Sequence, residues 1–521
     1  MSAIFNYGTE ALTISKTLDI ASGKIKGVLE SEAREQVRAS QQEVERIVAG
    51  HKTVYGINTG FGILANTTIS EEDTAKLQYK ILQSHSVGVG DSIPPAIARI
   101  MLITKVQALA RGYSGVQPET LDRIIWHIEQ DIIPVVPEKG SVGASGDLAP
   151  LAHLFLPLIG LGKVYHKGHI RDTMEVLNEF NMEPVRLGPK EGLALINGTQ
   201  FILAYAINAV QRLHYCLEAA DIIGAMSLEA LTGTKAPFDE RLHELRPFAG
   251  NKLVANRLRI LLNNSAIMQS HVDCGRVQDP YSLRCMPQVH GASRNAWLHL
   301  KDLTLVELNA VTDNPIIFSA EDTISGGNFH GQPLALPLDY ACLAAAEIGN
   351  ISDRRCYLLL EGKWGLPLLL MQNVGLNSGF MIPQYTTAAL VTENKTLCFP
   401  ASADSIPTSL GQEDHVSMGS ISGRKLDKVI DNLEYILAIE LLSAAQAIEF
   451  RRPYKSSELL EFAHNYVRRY AGFAEEDRIF ADDINQIRNI LSDFSFVREL
   501  NKFAASRGLN LASEETGTWA F

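Results

Sequence analysis

The chain has 521 residues, of which 46% are hydrophobic and 20% charged, so a large core is expected and disorder is not. Its formal net charge of -12 argues against a nucleic-acid or anionic-membrane surface, because both need a basic footprint. The length predicts two or three domains or one elongated helical core. A small-molecule or protein partner fits these numbers best.

The sequence predicts a cytoplasmic location and no membrane span. The N-terminus lacks a basic stretch followed by an apolar run, which a secretory signal would need. The apolar run from Leu148 to Leu161 is interrupted by two prolines and is too short to cross a bilayer. Six cysteines are scattered without C-x-x-C spacing, which favours free thiols in a reducing compartment over disulfides or zinc.

The N-terminal part begins with a surface helix and contains glycine-rich loops. Apolar residues recur at helical spacing from Ala33 to Val48 and stop at Gly50, a pattern typical of an amphipathic helix. Residues 51–66 and 140–147 are rich in glycine and show no period, so both are predicted loops. A Lys167-Gly168 pair between β-prone segments predicts a small hairpin.

The middle of the chain is dominated by long apolar segments. Residues Gln200 to Leu231 contain no proline and are apolar on nearly all faces, which predicts one buried helix of roughly 45 Å. Further long helices are predicted at Asn295 to Val311, Leu338 to Glu361 and Arg424 to Phe450, with shorter ones near Leu459 to Tyr470 and Asp482 to Phe503.

These patterns predict a mainly α fold, an elongated bundle of long helices, with an N-terminal mixed, loop-rich region that carries the active-site loops. We divide the chain into residues 1–199, which hold the loops, and residues 200–521, which form the bundle and the C-terminal helices.

The most informative segment is Gly-Ser-Val-Gly-Ala-Ser-Gly-Asp-Leu-Ala-Pro at residues 140–150. In a tight turn the Gly146 nitrogen can attack the Ala144 carbonyl, because glycine has no Cβ to block the approach. Loss of water closes a five-membered ring, and dehydration of Ser145 then gives a methylidene-imidazolone with an electrophilic carbon. The simpler alternative is a flexible loop before a helix. A phosphate cradle is disfavoured because no G-x-x-x-x-G-K-[ST] motif is present.

This loop resembles the signature of the aromatic amino acid ammonia-lyase and aminomutase family, and the resemblance extends from about residue 10 to beyond residue 450. It implies that Ala144, Ser145 and Gly146 form the methylidene-imidazolone prosthetic group autocatalytically, with Asp147 beside it. It also implies a fumarase-like helical fold and a homotetramer with pockets built from three chains. No pyridoxal phosphate motif and no H-E-x-x-H string is visible, so neither that cofactor nor a metal is expected.

Two further motifs acquire catalytic roles through this resemblance. The segment Tyr-Gly-Ile-Asn-Thr-Gly-Phe-Gly starting at Tyr55 resembles the family's mobile loop with a tyrosine base, whose pKa must fall from about 10 to act near neutrality. Asn197, otherwise a simple helix cap, matches the asparagine that contacts the carbonyl oxygen of the prosthetic group. A fixed amide donor there would stabilise developing negative charge.

Other family positions concern the rest of the pocket. The stretch from 277 to 285 matches the family's active-site segment, and Arg284 is the expected two-pronged partner of the substrate carboxylate. In the same stretch the resemblance implies that Tyr281 is catalytic and that Gln278 binds substrate. Asn314 and Phe329 are weaker matches, which are also expected to bind substrate. Alone, each would equally suit a surface arginine, a turn or a loop aromatic.

Two places predict the substrate. His85 lies where the resemblance puts the substrate's ring and excludes the phenylalanine-specific class. The string Gln412-Glu413-Asp414-His415 is typical of family members that act on histidine, and a carboxylate at Glu413 suits an imidazole better than a benzene ring. Met286 and His290 depart from the commonest pattern, so the rim of the pocket is expected to differ.

We therefore predict non-oxidative elimination of ammonia from L-histidine to give trans-urocanate. Tyr55 or Glu413 removes the β-proton, and the sequence does not choose between them, nor between attack by the amine and attack by the ring. A tyrosine ammonia-lyase or tyrosine 2,3-aminomutase is the nearest alternative, and Glu413 weighs against both. A silent helical scaffold would predict a disrupted triad, whereas the triad here is intact.

Overall fold

The computed structural model describes residues 3–50, 54, 57, 59, 71–271, 275–511 and 521. The helices are α1 (Ile14–Ala21), α2 (Ser31–Ala49), α3 (Glu71–His85), α4 (Pro95–Leu109), α5 (Pro118–Glu129), α6 (Leu148–Phe155), α7 (Thr173–Glu179), α8 (Glu191–Ile196), α9 (Gln200–Ala230), α10 (Glu240–Glu244), α11 (Ala249–Leu261), α12 (Ala266–Gln269), α13 (Tyr281–Arg284), α14 (Met286–Leu308), α15 (Gln332–Leu360), α16 (Met381–Leu397), α17 (Gly419–Glu449), α18 (Glu458–Arg468), α19 (Phe480–Ser492) and α20 (Ser495–Ser506). The strands are β1 (Ala3–Asn6), β2 (Ile25–Val28), β3 (Val89–Ser92), β4 (Ile133–Pro134), β5 (Pro137–Lys139), β6 (Lys163–His166), β7 (His169–Asp172), β8 (Ile316–Ile317) and β9 (Thr323–Ile324).

Four long helices, α9, α14, α15 and α17, pack on one another and form the central bundle. Helix α9 is buried on nearly every face, from Gln200 to Ala230, as the uniformly apolar sequence predicts. Its neighbours α15 and α17 are also buried along most of their length. The predicted mainly helical fold is therefore confirmed, and the bundle supplies a rigid frame for the loops at its ends.

Two predicted helix starts are wrong, and both observed helices have a proline as their second residue, Pro287 in α14 and Pro333 in α15. Helix α14 begins at Met286, nine residues before the predicted Asn295, with Pro287 in its first turn. Helix α15 begins at Gln332 and continues through Pro337, where the sequence predicts a boundary. Proline fits the first turn of a helix because its missing N–H needs no partner there, whereas Pro337, the sixth residue of α15, lies inside the helix.

Two other departures lie in the C-terminal half. Helix α16 is absent from the sequence prediction because it buries few of its residues, so it shows no clear apolar period. The predicted run from Asp482 to Phe503 is divided into α19 and α20 at Phe494, whose φ of 65° ends one helix and precedes the next. The predicted α2 and α18 agree with the structure within about two residues.

The strands form small sheets around the bundle. Strands β1 and β2 pair in parallel, whereas β3–β5, β4–β6–β7 and β8–β9 are antiparallel. The hairpin β6–β7 turns at Lys167 and Gly168, with φ angles of 50° and 78°, which are the left-handed conformations that a tight two-residue hairpin requires. This confirms the predicted hairpin.

Buried ion pairs join the long helices. Arg355 of α15 donates two hydrogen bonds to Glu440 of α17, at 2.5 and 2.9 Å, and both side chains are fully buried. His290 of α14 lies 2.8 Å from Asp221 of α9 and is also fully buried. Met286 is likewise buried. The expectation that Met286 and His290 alter a pocket rim is therefore wrong for this chain, because both lie in the bundle core.

Within the described residues, one helix, α15, is long and apolar enough to cross a membrane. Of its most apolar 18-residue window, 67% is buried inside the fold, and α15 packs against α9, α14, α16 and α17. It is therefore a core helix of the bundle.

Candidate active site

The Ala144-Ser145-Gly146 triad lies in a tight turn just before α6. Gly143 and Gly146 both adopt left-handed conformations, with φ of 69° and 72°. A Cβ on Gly146 would lie 2.1 Å from the Gly198 carbonyl oxygen, so only glycine fits. Ala144 is buried, with 5% of its surface exposed. The turn thus provides the close, unobstructed backbone at Gly146 that the predicted cyclisation needs.

Asp147 ties the triad to the start of α9. Its Oδ2 accepts hydrogen bonds from the backbone nitrogens of Phe201 and Ile202 at 3.1 and 3.0 Å. Its own nitrogen donates to the Gly198 carbonyl at 2.8 Å, and the Ser141 hydroxyl donates to Oδ1 at 3.0 Å. Burial raises the pKa of Asp147 to about 7, against the lowering effect of these donors. The triad is therefore fixed to the N-terminus of α9, which with α17 is one of the two 31-residue helices of the bundle.

Glu413 lies directly beside the triad. The Ser145 hydroxyl donates to Glu413 Oε1 at 3.2 Å, and the Thr408 hydroxyl donates to Oε2 at 2.8 Å. Thr408 and Glu413 also pair through their backbones around a short 3₁₀ turn, Ser409–Gly411. The loop thereby holds one carboxylate at the hydroxyl that the predicted dehydration removes.

Three histidines lie in or near the segment that carries Glu413. His85 interacts electrostatically with Glu413, His415 is two residues further along the chain, and His330 contacts His415. His85 ends α3, and the Ser84 hydroxyl lies 3.0 Å from His85 Nδ1. Burial lowers the pKa of His85, while the nearby charge of Glu413 acts in the opposite direction. The imidazoles of His330 and His415 stack with centroids 5.4 Å apart. The structure therefore brings His85, Glu413 and Ser145 to one region, as the sequence predicts.

Asn197 and Asn314 are joined by hydrogen bonds next to Gly198, the residue that pairs with Gly146 of the triad. Asn197 Nδ2 donates to the Asn314 carbonyl at 2.9 Å and to Asp313 Oδ1 at 3.4 Å. Asn314 Oδ1 accepts from the Gly326 nitrogen at 2.9 Å, which ties it to the segment that leads to the half-buried Phe329. These contacts place both asparagines in the same hydrogen-bonded layer.

The segment with Gln278, Tyr281 and Arg284 lies at the opposite end of α9. Asp279 accepts from the Thr234 nitrogen at 2.7 Å, four residues beyond the last residue of α9. Arg284 donates to Gln278 Oε1 at 2.9 Å and lies over the ring of Tyr281, 4.5 Å from its centroid. Tyr281 is 70% exposed, so this face is open on the isolated chain.

One chain therefore does not bring all the predicted residues together. The triad contacts the first turn of α9, and Arg284 belongs to a segment at its last turn. The 31 residues of α9 separate the two groups by roughly 45 Å at about 1.5 Å per residue. A substrate of amino-acid size cannot touch both groups in the same chain.

Two remaining predicted residues are less informative. Tyr55 lies outside the described residues, although its neighbours Val54 and Ile57 are buried in a small cluster with Ile317 and residues of α2. Gln412 is exposed at the end of the 3₁₀ turn beside Glu413.

The sequence analysis did not identify two buried lysines and an aspartate near the Asn197–Gly198 turn, against which the triad packs. Lys105 in α4 and Lys190 before α8 are 1% and 0% exposed, and Asp313 is 3% exposed. The sequence did carry a signal for Lys105. The mostly apolar run from Ile97 to Leu109 contains only two charged residues, Arg99 and Lys105. Such a residue is almost never fully buried without a partner. In the part of the chain that the structure describes, no cluster of His, Cys, Asp and Glu could hold a metal ion.

Comparison with known proteins identifies the class. Residues 12–469 match the model of the aromatic amino acid lyase family, and the chain belongs to that family, as its triad predicts. The family depends on a methylidene-imidazolone prosthetic group.

Particular relatives extend this result. The chain is similar to the histidine ammonia-lyase of Sorangium cellulosum, 50% identical over 87% of this chain and 90% of the relative. It is also similar to that of Idiomarina loihiensis, 46% identical over 89% of this chain and 92% of the relative. The crystal structure of histidine ammonia-lyase from Trypanosoma cruzi superimposes with a TM-score of 0.90 at 39% identity, covering 99% of this chain and 98% of that one. Tyrosine aminomutase from Streptomyces globisporus gives 0.91 at 33% identity, covering 97% and 99%.

Proposed function

We infer that this chain is a carbon–nitrogen lyase that eliminates ammonia from L-histidine to give trans-urocanate, the first step of histidine degradation. The observation that carries this inference is the Glu413 carboxylate, 3.2 Å from the Ser145 hydroxyl of the triad, in a chain that is 46–50% identical to proteins named histidine ammonia-lyase. A carboxylate at the reacting centre selects a substrate whose ring can donate a hydrogen bond or carry a positive charge.

The triad residues suit the predicted prosthetic group. The conformation of Gly146 and its contact with Gly198 exclude a side chain, which supports ring closure at this backbone. Once formed from Ala144, Ser145 and Gly146, the group supplies an electrophilic carbon that turns the substrate's amino group into a better leaving group. No pyridoxal phosphate and no metal enter the proposal.

The chain's own residues bind the substrate and move its protons. His85 and Glu413 face the imidazole, and Gln412, Asn314 and Phe329 also bind the substrate. Asn197 would stabilise negative charge on the prosthetic ring as an oxyanion donor does, by turning toward the ring the N–H that makes its longer contact, 3.4 Å to Asp313 Oδ1. Tyr55 or Glu413 takes the β-proton, and both remain candidates for the base.

The carboxylate of the substrate is bound by a second chain. Gln278, Tyr281 and Arg284 lie at the far end of α9 from the triad, so we propose that a neighbouring copy presents them to this pocket. Tyr281 is exposed on the isolated chain, which suits a face that another copy covers. The proposal is a homotetramer with shared pockets, in a cytoplasmic enzyme. The free cysteines, five in the described residues, support a reducing compartment.

The first test is turnover of L-histidine, L-tyrosine and L-phenylalanine, followed by ultraviolet absorption of the products. Histidine should give urocanate, and the other two should give little product. Glu413→Gln should lower kcat/KM for histidine roughly a hundredfold, because it removes a charge from a paired site. The exposed neighbour Asp414→Asn is the control and should stay near wild type. Preferential turnover of tyrosine would overturn the substrate assignment and retain the triad.

A further inference from the structure

Two buried lysines, Lys105 and Lys190, lie near the Asn197–Gly198 turn. Lys105 of α4 donates from Nζ to the backbone carbonyl of Asn197. Lys190 donates to the Ser114 carbonyl at 3.1 Å and pairs with Asp313. Both lysines are almost fully removed from water. Both ammonium groups therefore lie near the Asp313 carboxylate, and Asp147 is a second carboxylate near Lys105.

The turn that Lys105 holds is also the surface against which the triad packs. Gly198 pairs with Gly146 through the backbone. Its nitrogen donates to the Ser145 carbonyl at 3.4 Å, and its carbonyl accepts from the Asp147 nitrogen at 2.8 Å. A displacement of the Asn197 carbonyl would thus be passed to the triad through one peptide unit.

The side chain of Asn197 is fixed from the same layer. Its Nδ2 donates to the Asn314 carbonyl and to Asp313 Oδ1, while Asp313 Oδ1 also accepts from the Asn314 nitrogen at 2.7 Å. Lys105 holds the backbone of Asn197, and Lys190 orients Asp313, which in turn orients the Asn197 amide.

Burial of two lysines at this turn lowers the stability of the fold. Burial lowers the pKa of Lys105 to about 7; Asp313 and Asp147 oppose that effect and Lys190 adds to it. A buried cation that donates to a neutral carbonyl is poorly compensated. It does, however, create a positive potential at the turn beside which negative charge develops during the proposed reaction, and fixed charges act strongly at a dry site.

We propose that Lys105 is a positioning residue, which acts through Asn197 and Gly198 to hold the triad turn in shape and to favour negative charge on the prosthetic ring. This inference rests on the proposed function. It assigns to α4 a part in both the maturation of the triad and the turnover of substrate.

The test compares Lys105→Met, which keeps the length and loses the charge, with Lys105→Arg, which keeps the charge. Lys301→Met is the matched control, because Lys301 is also buried, at 4% exposure, but in α14 away from the triad. We expect Lys105→Met to lower kcat about a hundredfold with little change in KM, because Asn197 would no longer be held in place as an oxyanion donor. Lys105→Arg should recover most of that loss, and Lys301→Met should resemble wild type.

A pH profile separates a charged role from a merely structural one. Lys105 loses its proton as the pH rises through its pKa, so wild-type kcat should show a descending limb there. In Lys105→Arg that limb should move to higher pH, because a guanidinium stays protonated. If Lys105→Met fails to fold, this shift still decides the question. Superimposable profiles for wild type and Lys105→Arg would overturn the charged role.

Mass spectrometry of the triad peptide gives a readout that does not depend on turnover. The mature peptide is lighter by two water molecules, and Lys105→Met should lower the fraction of chains in that state. If wild type matures but releases no urocanate, the proposed substrate is wrong while this comparison still tests Lys105. Equal maturation and equal kcat in wild type and Lys105→Met would refute the inference.

Discussion

At the scale of single residues, the site depends on backbone positions as much as on side chains. Gly146 is held in a left-handed turn against the Gly198 carbonyl, and Asp147 fastens that turn to α9. The reactive atoms in the proposed cyclisation belong to the main chain. Any side chain that separates the two turns should therefore prevent maturation without touching the substrate.

Gly146→Ala tests this directly. The added Cβ would lie 2.1 Å from Gly198 O, so the turn must open and the triad should retain its full mass. We expect urocanate formation to fall by at least about a thousandfold, since the electrophile is then missing. Gly168→Ala is the control, because Gly168 also has a positive φ but nothing lies within 4 Å of an added Cβ. Loss of two waters in Gly146→Ala would contradict the steric argument.

Site residues can be predicted from the sequence where they belong to one motif of consecutive residues. The triad is one uninterrupted motif, and Glu413 lies in another. Lys190 and Asp313 are far apart in the chain, and only the fold makes them a pair. Their roles could not be predicted because the partner of a buried charge is set by tertiary contacts. The proximity of His85 to Glu413 came from family resemblance rather than from spacing.

At the scale of elements, the long helices are joined by buried charge as well as by apolar packing. Arg355 of α15 and Glu440 of α17 form a fully buried pair, and Ser227 of α9 donates to the same carboxylate at 2.7 Å. Removing one partner leaves the other charged and buried. The contact between α9, α15 and α17 at Glu440, which we call the joint, therefore depends on the guanidinium of Arg355 for its stability.

Arg355→Met should lower the free energy of unfolding by about 3–5 kcal/mol, the usual effect of breaking a buried pair from one side. Thermal or denaturant unfolding measures the change. Lys502→Met removes a pair between exposed side chains of α20, Lys502 and Glu499, and should change the same quantity by less than about 1 kcal/mol. Equal losses in the two variants would show that burial does not determine the strength of the joint.

The ends of the helices show which features of the fold the hydrophobic pattern of the sequence does not determine. The length of α9 follows from its continuous apolar sequence, and its predicted end is within one residue of the observed one. The starts of α14 and α15 do not follow from the sequence, because a proline is compatible with both a boundary and the first turn of a helix, and because α15 also contains Pro337 in its interior. Helix α16 has no apolar stripe because many of its residues remain exposed on the isolated chain.

At the scale of the whole molecule, the predicted site is divided between the two ends of α9. No amino-acid substrate can span that distance, so the Arg284 group and the triad must serve different pockets if both are active. The family resemblance implies pockets built from three chains, but the motifs themselves do not show which residues lie at which end of α9, because that depends on the fold.

Subunit mixing tests the division. Ser145→Ala and Arg284→Ala should each be inactive alone, yet chains refolded or coexpressed together should regain activity. Random mixing would restore about a quarter of the pockets, because one chain supplies the triad and another the arginine. Ser145→Ala mixed with Glu413→Ala is the control. It should stay inactive, because Ser145 and Glu413 contact each other within one chain. Restoration in both mixtures, or in neither, would argue against shared pockets.

The span of α9 has a practical consequence for how such an enzyme behaves on dilution. If Arg284 binds the substrate carboxylate as proposed, a chain that carries the triad at one end of α9 and Arg284 at the other should be inactive when alone, however well it is folded. Specific activity should therefore fall as total protein falls below the dissociation constant of the assembly, while circular dichroism stays unchanged. Turnover per milligram would then serve as a direct gauge of quaternary structure.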